Sequence, residues 1–191
     1  MGDDGYTPRV QNLNKWDVRL RDAPARAPFG DTESYRIGAD FLQDCEAVED
    51  WGCGLGWFAS VRGGGCISVD GSHSPFADRQ ADLVEYTSDV DGLFMRHVLE
   101  HNYEWRRILA NALRSFRKKM VLAIFTPWSD GDTKEIRFVQ DIGVPHLSFR
   151  RADITDMLHD LEWELLERTS PNRIYGQEHI FLITTRPAPR R

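Results

Sequence analysis

Short apolar runs recur along this chain of 191 residues and alternate with stretches that show helical spacing. A continuous apolar run at 120–125 is typical of a strand buried on both faces of a parallel sheet. Shorter segments in which apolar and polar residues are mixed, at 47–51, 66–69, 83–86 and 92–97, predict four further strands. Because the segments that connect consecutive runs are short, these strands are expected to belong to one sheet.

Between the runs, apolar residues three and four positions apart predict helices. The clearest example is 103–117, where Trp105, Ile108 and Leu109 open one apolar face. Residues 32–42 predict an earlier helix with Asp31 or Thr32 as its N-cap. The remaining helical predictions are 57–62, which three glycines at 63–65 end, and 152–161.

The remaining segments are polar connections and a final pair of strands. Residues 72–80 predict a short polar helix or turn, and 126–150 form a polar stretch that contains two prolines and two glycines. Residues 163–168 and 178–185 predict two closing strands that pair antiparallel at one edge.

This alternation predicts an α/β fold. We expect a Rossmann-like, mostly parallel sheet with helices on both faces and an antiparallel C-terminal edge strand. The length favours a single domain over residues 1–191, with 1–40 as a candidate N-terminal cap and 126–150 as a candidate insertion that covers the substrate. In such sheets, ligands bind at the carboxyl ends of the strands.

Composition narrows the function classes. The net charge is −6, from 24 basic and 30 acidic residues, which disfavours general affinity for nucleic-acid phosphates. No apolar run approaches the roughly 20 residues of a membrane helix, so no membrane partner is expected. The cysteines, Cys45, Cys53 and Cys66, show no CxxC spacing, which favours reduced thiols and a cytoplasmic location. The oligomeric state is not predicted.

A glycine turn follows the first predicted strand. Gly52, Gly54 and Gly56 alternate behind Asp50, and a second acid, Asp70, ends the next strand. Glycines let the backbone approach a ligand, and an acid at this place can bind ribose hydroxyls. A dinucleotide fingerprint would place its last glycine at 57, where this chain has tryptophan, and this disfavours an NAD enzyme. The alternative is a tight turn without a ligand.

Three segments together resemble a known family. VEDWGCGLG at 48–56, ISVDGS at 67–72 and VDGLFMRHVLEH at 90–101 are similar in order and spacing to the motifs of class I S-adenosylmethionine-dependent methyltransferases, in the branch that acts on small molecules. The resemblance covers residues 48–125. It implies the fold described above and S-adenosylmethionine as the cofactor, and it leaves the methyl acceptor open.

The resemblance also implies which residues contact the cofactor. The acid and glycines of the first motif would line its methionine and ribose end, Asp70 would accept hydrogen bonds from both ribose hydroxyls, and Asp82 would lie near the adenine amine. The backbone of Met95 and the side chain of Arg96 would lie near the sulfonium. The implied cofactor-binding residues are Asp50, Gly52, Gly54, Gly56, Asp70, Gly71, Asp82, Met95 and Arg96.

Methyl transfer is an in-line displacement, which requires positioning of the reactants and a base where the acceptor loses a proton. A side chain with a pKa near neutrality suits this task, so His97, His101 and His146 are the candidate catalytic residues. The alternative is catalysis by positioning alone. Aromatic and arginine side chains from the two candidate covering segments are candidates for the substrate wall: Trp16, Phe29, Tyr35, Arg36, Trp128, Arg137 and Phe149.

The segment HVLEH at 97–101 also fits a different pattern. On a helix, H-x-x-E-H is a zinc-protease signature in which the two histidines bind the metal. This remains a remote alternative, and the leading hypothesis requires no metal. A structural role for Glu100, capping and pinning the following helix, is favoured over a catalytic one.

The leading hypothesis is therefore a cytoplasmic enzyme that methylates an oxygen or nitrogen of a small molecule or glycan precursor. One rival is a catalytically silent module that binds S-adenosylmethionine or S-adenosylhomocysteine. Another is methylation of a macromolecule. A local basic face formed by Arg114, Arg117, Lys118 and Lys119 favours this second rival, while the acidic balance of the chain opposes it.

Overall fold

Seven strands form one sheet in the computed structural model, which describes residues 13–170 and 174–186. The described residues contain nine strands, of which β6 and β7 pair only with each other and the other seven form this sheet: β1 (Val48–Trp51), β2 (Cys66–Asp70), β3 (Arg79–Gln80), β4 (Val90–Arg96), β5 (Phe116–Ile124), β6 (Lys134–Val139), β7 (Val144–Ser148), β8 (Glu162–Thr169) and β9 (Gln177–Thr184). The sheet has the order β3-β2-β1-β4-β5-β9-β8. Its first five strands are parallel, and β9 is antiparallel to both β5 and β8. The predicted α/β fold class is confirmed.

Helices cover both faces of this sheet. They are α1 (Asp17–Leu20), α2 (Glu33–Phe41), α3 (Trp57–Arg62), α4 (Trp105–Ser115) and α5 (Arg151–Thr155), and 3-10 turns occupy Leu99–His101 and Asp156–Leu158. Alternate residues of β4 supply the two cores. Leu93 and Met95 pack with the α4 face, whereas the Phe94 ring stacks on Phe58 of α3 at 3.8 Å. Burial on both faces explains why the central strands read as continuous apolar runs.

One predicted strand is wrong. Residues 83–85 form a turn, although 83–86 was expected to be extended. The Asp82 carboxylate accepts the backbone N–H of Val84 at 2.9 Å, and the Asn111 side chain donates to the carbonyls of Leu83 and Val84. The side chains of Leu83 and Val84 are nevertheless buried in the core beside α4, which explains the strand-like apolar pattern of this segment. The side-chain hydrogen bonds hold its backbone in a turn instead.

Three further predicted segments differ from the structure. The helix expected at 103–117 ends at Ser115, because the residues from Phe116 onwards already pair with β4. The polar stretch at 126–150 contains the β6–β7 hairpin, and every residue of β7 is buried. The helix expected at 152–161 is reduced to α5 and a 3-10 turn.

Within the two described ranges, none of the helices has the length and apolar character needed to cross a membrane. The longest of those listed above, α4, has 11 residues.

Candidate active site

A cavity of about 260 Å³ lies at the carboxyl ends of β1, β2 and β4. Most of the residues that the sequence predicted for the site line this one cavity. Gly56 and Met95 are not among its lining residues. Those that do line it are Asp50, Gly52, Gly54, Asp70, Gly71, Asp82, Arg96, His97, His101 and His146.

The glycine turn forms part of the cavity wall. Gly52 has φ 75°, and its N–H donates to the carbonyl of Val69 at 2.8 Å. A Cβ at this position would lie closer than 3.0 Å to Cγ2 of Val98, another lining residue. Gly56 lies on the far side of the turn as the N-cap of α3, where Phe76 and the Arg26 guanidinium cover it. The first two glycines therefore face the cavity and the third starts the helix.

Asp70 orders this turn and also faces the cavity. Its carboxylate oxygens accept the N–H of Gly54 and the N–H of Ser72, both at 2.8 Å. Burial raises the pKa of Asp70, and these backbone hydrogen bonds oppose the rise. A carboxylate has about four acceptor positions, so both oxygens keep capacity for a ligand.

Asp50 is a buried acid beside this turn. It is 3% exposed, and burial together with the charge of Asp70 raises its pKa to about 8, while Arg96 and Arg26 oppose the rise. Within the described part of the chain, no side chain or amide donates a hydrogen bond to the Asp50 carboxyl group. A cationic group in the cavity would therefore be stabilised next to it.

Arg96 is engaged by the protein at all three guanidinium nitrogens. Nε donates to Ser34 Oγ at 2.7 Å, Nη1 to the Tyr35 hydroxyl at 3.0 Å, and Nη2 to the carbonyl of Phe29 at 3.2 Å. Nη2 also lies 3.2 Å from Oε1 of Glu178, which is completely buried. Arg96 lines the cavity, and its side chain ties the N-terminal segment and β9 to the end of β4.

His97 follows β4 in a left-handed conformation with φ 58°. Its Nε2 donates to Oε1 of Glu178 at 2.7 Å. Burial, with a contribution from Arg96, lowers the pKa of His97 to about 4, so the ring is neutral at pH 7. Sequence reasoning missed Glu178, because it lies 81 residues away on β9 in no recognisable motif.

His101 has a tautomer fixed by its neighbour. Its Nδ1 lies 3.1 Å from the carbonyl of Pro145, which can only accept, so Nδ1 carries the hydrogen. Burial, with a contribution from His146, lowers the pKa of His101 to about 3. The neutral ring therefore keeps a lone pair on Nε2, but the pKa of His101 lies below the near-neutral value that the sequence led us to expect of a general base.

The three predicted histidines gather around Phe125, although 49 positions separate the first from the last. The ring centroids of His97, His101 and His146 lie 4.9, 5.6 and 5.2 Å from that of Phe125. His146 Nδ1 lies 3.0 Å from the Tyr175 hydroxyl, and burial, with the charge of Arg137, lowers its pKa.

The zinc-protease alternative requires both histidines on one face of a helix. His97 precedes a 3-10 turn of three residues and has a left-handed backbone, so this requirement is not met. Across residues 13–170 and 174–186, no group of three or more His, Cys, Asp and Glu side chains is arranged to hold a metal ion.

Glu100 is completely buried and ties two elements together. Its Oε1 accepts the N–H of Phe125 at 2.7 Å, which fixes the 3-10 turn to the end of β5. Glu100 thus has a structural role, as the sequence favoured, but it binds the end of a strand and does not cap the following helix. Burial raises the pKa of Glu100 to about 8.

This burial predicts a pH-dependent difference between the wild type and a Glu100→Gln variant. A raised folded-state pKa means that the wild type loses stability as pH rises from about 4.5 to about 8. The glutamine keeps an acceptor for Phe125 and cannot ionise, so the variant should gain relative stability by up to about 1.4 kcal/mol per pH unit in this window. Urea denaturation at pH 5, 6.5 and 8 measures the difference. A difference that is constant across the three pH values would contradict the assignment.

The N-terminal segment closes one side of the cavity. The N–H of Trp16 donates to Ser72 Oγ at 2.9 Å, and its ring packs edge-on against His101 at 4.9 Å. Of the seven candidate wall residues, Trp16, Phe29 and Tyr35 line the cavity, whereas Arg36, Trp128, Arg137 and Phe149 are not among its lining residues. The 126–150 segment contributes His146 to the lining. Residues 1–12 of the predicted cap lie outside the described residues.

The local basic face is largely neutralised within the chain. Arg117 pairs with Asp89 and Asp91, Lys118 pairs with Asp91, and Lys119 pairs with Asp44. Arg114 donates to Asn111. These pairs leave little uncompensated positive charge for the phosphates of a nucleic acid.

The chain has the fold of the class I S-adenosylmethionine-dependent methyltransferases, as solved structures that match it show. One is 1,6-didemethyltoxoflavin-N1-methyltransferase of Burkholderia thailandensis with bound 1,6-didemethyltoxoflavin and S-adenosylhomocysteine (TM-score 0.62, 16% identity, 82% of this chain and 77% of that chain). Another is magnesium protoporphyrin IX methyltransferase from Synechocystis with S-adenosylhomocysteine (0.60, 14%, 81% and 83%). A third is the N-terminal domain of EvdMO1 in the presence of S-adenosylhomocysteine and D-fucose (0.60, 16%, 82% and 82%).

A scan against protein-family models and a search of curated proteins found no match. At the identities given above, the likeness to solved structures establishes the fold, and the activity is a separate question.

Proposed function

We propose that this protein binds S-adenosylmethionine and transfers its methyl group to an oxygen or nitrogen of a small molecule or glycan precursor. The observation that carries the proposal is the single cavity that brings Asp50, Asp70 and the glycine turn together with His101 at the strand ends. The S-adenosylhomocysteine and S-adenosylmethionine bound in the similar solved structures support the same cofactor.

The residues present fit this cofactor group by group. Asp50, a buried acid with a raised pKa, would bind the methionine ammonium, which restores its ionised form. Asp70 would accept hydrogen bonds from the ribose hydroxyls, next to Gly71. Asp82 would accept one from the adenine amine. Gly52 and Gly54 would let the backbone approach the ligand, because neither has a side chain in the way.

Gly56, Met95 and Arg96 would act indirectly. Gly56 starts α3 with a left-handed backbone, and Met95 is buried within β4. Arg96 donates its hydrogen bonds to protein groups. We therefore expect it to hold the cavity wall in place and to favour the ionised form of Asp50 by lowering its pKa.

When bound, S-adenosylmethionine supplies an electrophilic methyl group on a sulfonium. The task of the protein is to align the acceptor and to remove its proton. His101 is the candidate general base, because Pro145 fixes its tautomer and leaves Nε2 with a lone pair. His97 and His146 share the same cluster and would bind and orient the acceptor.

We also propose a cytoplasmic location. The support is that Cys45, Cys53 and Cys66 are all free thiols, which is typical of reducing compartments.

An Asp70→Asn variant tests the cofactor site. Asparagine keeps an acceptor for one of the two backbone amides but loses the charge, so S-adenosylhomocysteine should bind about 10- to 150-fold more weakly, which corresponds to about 1.5–3 kcal/mol. Isothermal titration calorimetry measures the affinity. Asp78→Asn is the matched control, because Asp78 accepts the N–H of Ser68 on the same strand and is not among the lining residues. An Asp70→Asn affinity within twofold of the wild type would remove this residue from the site.

A further inference from the structure

The two sides of the cavity differ in chemistry. All of its lining carboxylates lie at the ends of β1, β2 and β3, where the cofactor is proposed to bind: Asp50 is the last but one residue of β1, Asp70 ends β2, and Asp82 follows β3. The other side is built from rings and, among the described lining residues, contains no carboxylate. These rings are Trp16, His97, His101, Phe125 and His146.

The rings form one continuous aromatic surface, which we call the acceptor wall. Trp16 and Phe125 both pack against His101, at centroid distances of 4.9 and 5.6 Å, and His146 lies 5.0 Å from His101. Such faces and edges offer a large apolar area to a flat ligand and favour stacked or edge-on contacts with another ring.

The acceptor wall has few polar groups to spare. His101 Nδ1 is used by Pro145, His97 Nε2 by Glu178, and His146 Nδ1 by Tyr175. Each imidazole therefore offers one nitrogen to a ligand. A sugar buried here would leave several hydroxyl groups without partners, which costs free energy for each one. A ring with no more than three polar atoms matches these three nitrogens.

Resting on the proposed function, we propose that the acceptor is a flat aromatic or heteroaromatic ring, bound against Trp16, Phe125 and His101 and methylated at an oxygen or nitrogen that carries an acidic proton. The acceptor atom forms its bond to the methyl carbon as the methyl–sulfur bond breaks. The acidic proton moves to Nε2 of His101 and then to solvent, and S-adenosylhomocysteine leaves.

The acidity requirement follows from the base. The Pro145 carbonyl holds Nδ1 of His101 and leaves Nε2 as its basic nitrogen, and burial lowers the pKa of the ring, so Nε2 takes a proton more readily from an acidic donor than from an aliphatic hydroxyl. An aliphatic hydroxyl resembles water, with a pKa of about 15.7, whereas a phenol has a pKa of about 10 or lower.

Calorimetry on protein saturated with S-adenosylhomocysteine tests the proposal with three probes. We expect 4-nitrophenol, a flat ring with an acidic hydroxyl, to bind at least tenfold more tightly than benzyl alcohol, which has the ring but an aliphatic hydroxyl. D-fucose should show no saturable binding. Equal affinity for the two aromatic probes would overturn the acidity requirement, and tighter binding of D-fucose would overturn the aromatic acceptor.

Substitution of a residue of the acceptor wall provides a second test of the proposal. Trp16→Leu should weaken 4-nitrophenol binding at least tenfold and leave the S-adenosylhomocysteine affinity within threefold. Trp163→Leu on β8 should change neither, because Trp163 packs on Phe181 and is not among the lining residues. Unchanged 4-nitrophenol binding in Trp16→Leu would contradict the proposal. If S-adenosylhomocysteine itself fails to bind, the proposed function fails as well, and this result is distinguishable because it is measured first.

Discussion

A Gly52→Ala variant is expected to bind S-adenosylhomocysteine at least tenfold more weakly and to lose about 2–5 kcal/mol of unfolding free energy. Two costs add at this position. The left-handed backbone at φ 75° disfavours any residue with a Cβ, and that Cβ would collide with Val98, a stiff β-branched side chain. Moving Val98 away pushes it into the space proposed for the cofactor. Calorimetry and urea denaturation measure the two effects.

Gly63→Ala is the matched control. Gly63 has nearly the same backbone conformation, with φ 79°, but a Cβ there would meet nothing within 4 Å. It should therefore show only the conformational cost, about 1–2 kcal/mol, and bind S-adenosylhomocysteine like the wild type. If both variants bind with the same affinity, the turn at Gly52 does not shape the site.

The second large effect is expected for Glu178→Leu, with a loss of about 3–5 kcal/mol of unfolding free energy. Glu178 Oε1 accepts hydrogen bonds from Ser34 and His97 and lies 3.2 Å from the buried Arg96 guanidinium. Leucine would leave that buried positive charge uncompensated, which is the costly way to break such a pair. Urea denaturation at pH 7 measures the loss.

Two further substitutions define the cause of this loss. Glu178→Gln keeps an acceptor for Ser34 and should lose less than the leucine variant. Glu164→Leu places the same apolar residue at an exposed position of the neighbouring strand β8 and should stay within about 0.5 kcal/mol of the wild type. A loss below about 1 kcal/mol in Glu178→Leu would show that the pair does not hold the strand ends together.

The pH dependence of this contribution has a defined sign. Burial alone would raise the pKa of Glu178, but His97 and Arg96 outweigh it and lower the pKa below its ordinary value. A carboxyl group with a lowered folded-state pKa stabilises the protein above its unfolded pKa, and this stability disappears as pH falls through the folded-state value. The difference between wild type and Glu178→Leu should therefore shrink in acid.

The local parts of the fold could be predicted from the sequence. The first strand, the glycine turn and α3 follow one another within 15 residues, and their signals are adjacent in the chain: a short segment with Val48 and Trp51, three alternating glycines, and a helical stretch that Gly63 ends. The central strands were recognisable because both of their faces are buried. Each of these signals depends on neighbours in sequence, which is why it could be interpreted without coordinates.

Contacts between distant segments could not be predicted. The β9 register that brings Glu178 to His97, and the β7 position that brings His146 to His101, depend on how strands pair across tens of residues. The misassigned strand at 83–86 has the same origin, because Asn111 on α4 holds its carbonyls in a turn. Trp16 was recognised as a candidate for the wall, but its place against His101 appeared only in the structure.

Binding of S-adenosylhomocysteine to the wild-type protein, measured by isothermal titration calorimetry, tests the central claim most directly. NAD serves as the comparison ligand, because a glycine turn followed by an acid is shared with dinucleotide-binding proteins. We predict saturable binding of one S-adenosylhomocysteine per chain and no saturable binding of NAD. An absence of saturable binding of S-adenosylhomocysteine, or tighter binding of NAD, would contradict the assignment of this cavity to the methyl donor.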